Sequence, residues 1–104
     1  TRLSNTKTKN KKILIIGDML ELGNSQINEH KKIGQLINSS NIDIILTFGN
    51  IVEYAFKELD NKFIYKEHFK DIELLKKKFK KITLKNDLVY IKASRSMQLE
   101  RIYN

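Results

Sequence analysis

The 104-residue chain has no cysteine and no proline, and only four glycines. Without cysteine there are no disulfides and no cysteine-ligated metals. Without proline, no linker announces itself by a stiff Pro-rich stretch. The glycines stand singly, so neither the GxxxxGK[ST] phosphate loop nor the GxGxxG dinucleotide fingerprint occurs. Its two histidines, His30 and His68, lack cysteine partners at zinc-binding spacing. No nucleophile–base pair stands out by spacing. No apolar run approaches the ~20 residues that a membrane helix needs, and no signal-type apolar stretch lies near the start. We therefore expect a chain without membrane insertion.

What is present suits a single folded domain. Forty per cent of the residues are hydrophobic and 31% charged, enough for one modest core and a soluble surface. The first residue is Thr1 rather than methionine, which suggests a fragment or a processed product. The net charge of +8 raises a nucleic-acid reading. Its distribution argues otherwise. Arg2, Lys7, Lys9, Lys11 and Lys12 crowd the start, and Lys76, Lys77, Lys78, Lys80 and Lys81 lie on an expected helix. The aromatics fall mostly on apolar stripes instead of alternating with these lysines. Both runs read as solvated faces, so we expect no nucleic-acid partner. A small basic nucleic-acid-binding domain and a free-standing interaction module remain the alternatives from other functional classes.

Along the chain, residues 1–11 read as a basic flexible segment and residues 12–104 as the folded unit. The run Lys12–Gly17 is a buried strand of the parallel kind, because four consecutive branched residues end at a glycine. Asn24 or Ser25 offers a cap, and Ile27, Ile33, Leu36 and Ile37 predict a helix over 26–39. A second strand covers 43–49. Asn50 with Glu53 then resembles a capping box for a helix striped by Val52, Ala55, Phe56 and Leu59. A short strand at 63–65 follows. Asp71 opens a helix through Leu74, Leu75, Phe79 and Ile82, a fourth strand spans 87–93, and a short helix runs from Met97 to Tyr103. Alternating strands and helices define an α/β fold, three-layered and Rossmann-like, with a mainly parallel sheet.

In such sheets ligands sit beyond the carboxyl ends of the strands. The loops there are 17–23, 49–50 and 92–96, which offer Asp18, Glu21, Asn50, Lys92, Ser94, Arg95 and Ser96. Carboxylates facing Lys92 and Arg95 suit a zwitterionic or phosphorylated ligand, and Arg95 can grip an oxyanion with two parallel hydrogen bonds. Each residue also has a plainer role. Asp18 fits a turn, Asn50 a helix cap, Ser94 and Ser96 caps of the last helix, and Lys92 a solvated strand end. Arg95 fits an ion pair with Glu21 or Glu100. His30, one turn from Ile27 and from Ile33, borders the core or touches a ligand beneath the first loop.

Two stretches carry a family resemblance. Ile15-Ile16-Gly17-Asp18-Met19-Leu20-Glu21-Leu22-Gly23 resembles the GDMxELG signature of the Mur ligase family, in its members that add D-alanyl-D-alanine. Ser25 and then His30, Ile33 and Gly34 are similar to that family's continuation, with a difference in the serine–histidine spacing. Val89 to Met97 with Leu99 and Glu100 resembles the VKGSRxMxLE segment, Ala93 standing where the family has glycine. That substitution would strain a left-handed backbone. The family's upstream D-x-Y-N-A-N-P motif, on a first strand and helix, has no counterpart here, nor do the central domain's phosphate loop and modified lysine.

The resemblance implies the carboxy-terminal part of a three-domain, ATP-dependent, cytoplasmic ligase of peptidoglycan synthesis. In that family the carboxylate of UDP-N-acetylmuramoyl-tripeptide is phosphorylated with magnesium present. The amine of D-alanyl-D-alanine then attacks the acyl phosphate, and the carboxy-terminal domain closes the site and positions the dipeptide. Carried onto this chain, substrate binding falls to Arg95, Ser94, Lys92, Asp18 and Glu21, supported by His30, Asn50 and Ser96. No catalytic residue and no metal ligand is expected here. ATP and magnesium belong to the complete enzyme, and the segment by itself is expected to be inactive and to hold neither.

Overall fold

The computed structural model describes residues 10–19, 25–94 and 97–103, except for the side chain of Glu100. Four strands and three α-helices alternate: β1 (Lys12–Gly17), α1 (Gln26–Asn38), β2 (Ile44–Phe48), α2 (Glu53–Lys57), β3 (Tyr65–Phe69), α3 (Ile72–Ile82) and β4 (Leu88–Lys92). A 3-10 helix, Leu99–Tyr103, closes the described chain. The strands form one sheet in the order β3-β2-β1-β4, and every pairing is parallel. The α/β, Rossmann-like architecture is as the alternating pattern predicts.

Pleating divides β1 between two cores. Ile13 and Ile15 join Ile44, Leu46, Leu75, Phe79, Leu99 and Ile102 on one face. Leu14 and Ile16 join Ile37, Ile45, Val52, Ala55 and Leu59 on the other. Helices α1 and α2 therefore cover the second face, and α3 with the 3-10 helix covers the first. β1 is buried on both sides, hence its unbroken apolar run.

The structure moves several boundaries. The third strand is Tyr65–Phe69, not 63–65. It is a sheet edge, only partly buried along most of its length, so its polar Lys66-Glu67-His68 centre hid it from an apolar search. Helix α1 buries His30, Gly34 and Ile37, while Leu36 is 71% exposed. Ser25 precedes α1 without a side-chain capping bond, and Asn24 lies outside the described residues. On α3, Asp71 caps as expected by accepting the Glu73 N–H, but Leu74 faces outward. The expected final helix is a single 3-10 element with one further such residue at Met97. Lys11, placed in the flexible segment, donates its N–H to Asp87 at 2.9 Å and pairs with it through its ammonium at 3.4 Å. The rest of that segment, residues 1–9, lies outside the described residues.

Candidate ligand site at the carboxyl edge of the sheet

Strand order fixes where a ligand edge can form. From β1 the chain steps outward to β2 and β3, then returns to the far side of β1 as β4. The direction of connection thus reverses at β1, which makes the carboxyl ends of β1 and β4 the topological switch point. Asp18 and Met19 emerge from one strand there, and Ala93 and Ser94 from the other. The two segments are tied directly: the Ser94 N–H donates to the Asp18 carbonyl at 3.0 Å.

Asp18 is only 6% exposed. Its Oδ1 accepts the Val52 N–H at 2.7 Å and its Oδ2 accepts the Asn50 N–H at 3.1 Å. These backbone donors lie at the start of α2, where a helix leaves N–H groups without partners and a negative charge is favoured. Asn50 therefore does not cap α2. The N-cap position is Val52, which has no capping side chain, and a carboxylate from another strand serves instead. Gly49 makes this approach possible. Its φ is +132°, and a Cβ there would lie 2.5 Å from Asp18 Oδ1.

Ala93 is not strained. Among described non-glycine residues only Gln98 has a positive φ, of 49°. A Cβ on Gly17 would come within 2.9 Å of the Ala93 Cβ, so the bare Gly17 leaves room for the methyl of Ala93.

His30 is fully buried. Its Nε2 accepts the Met19 N–H at 3.0 Å, and its Nδ1 donates to the Gln26 carbonyl at 2.6 Å. A backbone N–H can only donate and a carbonyl can only accept, so these two bonds select the neutral Nδ1–H tautomer. The histidine thereby pins the turn after β1 to the first turn of α1.

Two polar residues near this edge escaped the sequence reading. Thr47 Oγ1 lies 2.6 Å from His68 Nδ1, on the face covered by α2, with the Phe56 ring 5.8 Å away. Burial pushes the His68 pKa down, more than nearby Glu53 raises it. His68 Nε2 is buried and has no partner among the described residues. A histidine within a polar run offers no periodic signal of burial, which is why it was missed.

Of the remaining sequence candidates, Ser94 is buried at the switch point. Lys92 is exposed, beside Ile16 in register, and Asn50 is exposed with its N–H committed to Asp18. Glu21, Arg95 and Ser96 lie outside the described residues, as does the Glu100 side chain that would test an Arg95 ion pair. Among the described residues no cluster of His, Asp or Glu side chains could hold a metal ion. No described helix is long and apolar enough to cross a membrane.

A parallel α/β sheet in which the segments leaving β1 and β4 are hydrogen-bonded to each other at the switch point defines a Rossmann-like domain with a ligand edge. No family model matches the chain. Individual relatives do. It is 38% identical over 96 residues to the UDP-N-acetylmuramoyl-tripeptide–D-alanyl-D-alanine ligase of Bacillus subtilis, a match covering 88% of this chain and 21% of that protein. It is 33% identical over 93 residues to the ligase of the same name from Buchnera aphidicola of Acyrthosiphon pisum, covering 88% and 20%. The crystal structure of MurF ligase from Thermotoga maritima in complex with ADP superposes with a TM-score of 0.69 at 29% identity, over 91% of this chain and 21% of that one. MurF from Acinetobacter baumannii, 20% identical, shares the fold with a TM-score of 0.72, over 91% of this chain and 22% of that one. The chain belongs to this family of Mur ligases, and it spans about a fifth of the length of the relatives it matches.

Proposed function

We propose that this chain is the carboxy-terminal part of a cytoplasmic, ATP-dependent ligase that joins D-alanyl-D-alanine to UDP-N-acetylmuramoyl-tripeptide, and that it positions the dipeptide. The observation that carries the reading is the meeting of the Asp18–Met19 turn with the Ala93–Ser94 segment, joined by the Ser94-to-Asp18 bond of 3.0 Å. Two stretches far apart in sequence, each resembling a family motif, converge on the edge where such sheets bind ligands.

The dipeptide is a zwitterion. We assign its carboxylate to Arg95, next along the chain from Ser94, with Lys92 adding positive charge and Ser94 and Ser96 hydrogen-bonding capacity. Glu21 is assigned to the ammonium end. Asp18 has both carboxylate oxygens engaged by backbone donors. Its part is therefore to hold the edge in shape, with His30 fixing the turn from beneath and the Asn50 N–H serving the same bracket. The sequence has no phosphate loop, and we assign nucleotide and metal to the rest of the ligase. Closure of a hinged domain over the other substrates would exclude water from the reaction.

The test is Arg95→Ala in the intact ligase, with dipeptide varied at saturating nucleotide. Loss of a charge-assisted clamp, worth ~1.5–3 kcal/mol, should raise the dipeptide KM roughly 10- to 100-fold. The melting temperature should barely move. An unchanged KM with a clear fall in melting temperature would make Arg95 structural and remove the assignment.

A further inference from the structure

Among the described residues β3 pairs with β2 alone, which makes it an edge strand. The Phe69 carbonyl accepts the Gly49 N–H at 3.0 Å, so Phe69 turns its peptide groups toward β2. Peptide groups alternate along a strand, and those of Lys66 and His68 therefore face away from the sheet, as donors and acceptors for a further strand.

A groove of about 310 Å³ runs beside this edge, between β3 and α3. Phe69 and Leu74 give it apolar surface, and Lys77, Lys78 and Lys81 give it charge. Its one acid, Glu67, lies 3.9 Å from the Lys78 ammonium, which also sits 5.0 Å from the centre of the Tyr65 ring. Lys78 is thus neutralised within the chain. Lys77 and Lys81 are exposed and have no ion-pair partner among the described residues. The lysine run of α3 is therefore more than a solvated face, because it turns two unneutralised charges onto a groove beside a strand edge.

Charge decides what suits the groove. A second copy pairing edge to edge would set two lysine-bearing helices side by side, and like charges repel. Residues 1–9 carry Arg2, Lys7 and Lys9 and no acid, so they share the groove's sign. A membrane surface meets lysines but cannot continue a sheet. An acidic strand does both, and the spacings agree. Lys77 and Lys81 are one helical turn apart, ~6 Å along the α3 axis. Alternate residues of a strand, which point to the same face, are ~6.7 Å apart.

We infer that the β3 edge and this groove are a docking site for an extended acidic segment of another protein, which adds a strand outside β3. Two acidic residues at alternate positions meet Lys77 and Lys81. An apolar residue two positions further along lies against Phe69 and Leu74.

The test uses the intact polypeptide and a fluorescein-labelled peptide of about ten residues repeating Glu-Thr-Glu-Thr-Val, in both chain directions. The peptide should bind at low salt, and Lys77→Glu with Lys81→Glu should weaken binding at least ~10-fold, with Gln at both positions giving a smaller loss. A peptide with Lys in place of Glu should not bind. Binding should also slow exchange of the Lys66 and His68 amides at least ~10-fold. No binding, or binding that leaves those two amides unprotected, overturns the proposal. So does strong protection of both amides before peptide is added, since the edge is then filled from within the polypeptide. Phosphatidylserine vesicles that bind through Lys77 and Lys81 when the peptide does not overturn it in favour of a membrane surface.

Discussion

The Asp18 carboxylate accepts the backbone N–H of Val52, 34 positions along the chain, at 2.7 Å, and that bond is buried. A strand end thus caps a helix that has no capping side chain of its own. Asp18→Asn keeps the shape but removes the charge and turns an amide NH2 toward one of two backbone donors. Stability should fall by ~1.5–3 kcal/mol, the worth of hydrogen bonds to a charged group. Denaturant midpoints measure it. A dipeptide KM that shifts while stability holds would return Asp18 to direct ligand contact.

Gly49→Ala should be destabilising twice over. A φ of +132° is costly for alanine, and its methyl would press on the Asp18 carboxylate. About 1–3 kcal/mol is expected from the backbone alone. Because the second cost depends on Asp18, Asp18→Ala should relieve part of it. A double-mutant cycle should show coupling of ~0.5 kcal/mol or more, and strict additivity would mean that the two residues do not press on each other.

His30→Leu removes both bonds of the fully buried imidazole and leaves the Met19 N–H without its acceptor. The cost should be ~1–3 kcal/mol. The Met19 amide should also exchange at least ~10-fold faster, since the turn loses its tie to α1. Normal Met19 protection would show that the turn is held some other way.

The burial of His68 sets a pH dependence. Its folded-state pKa is lowered, so the unfolded chain takes up a proton near pH 6.5 while the folded chain still resists it. The unfolded state then binds more protons, and stability falls as pH drops through this window. Above it, His68 contributes no slope. Urea midpoints compared at pH 7.5 and 5.5 should converge in His68→Gln relative to the parent protein. An unchanged difference would place the dependence elsewhere.

The sequence alone determined the order and kind of the elements and the burial of β1. Four branched residues in a row leave no polar face, and alternation of strands with helices leaves few ways to close a sheet. It also marked the loops that carry Asp18 and Ser94, because each follows a strand. Only the tertiary structure decided which strands are neighbours, and so that those two loops meet at the switch point. It alone made Asp18 the cap of α2 in place of Asn50, since capping depends on which oxygen stands nearest the free N–H groups, not on which residue precedes the helix. It found β3 at 65–69, because a strand exposed at a sheet edge needs no apolar run to be stable. And it turned Leu36 outward, where helical spacing alone had assigned it to the core. Spacing along the chain reports a face, but packing decides whether anything covers it.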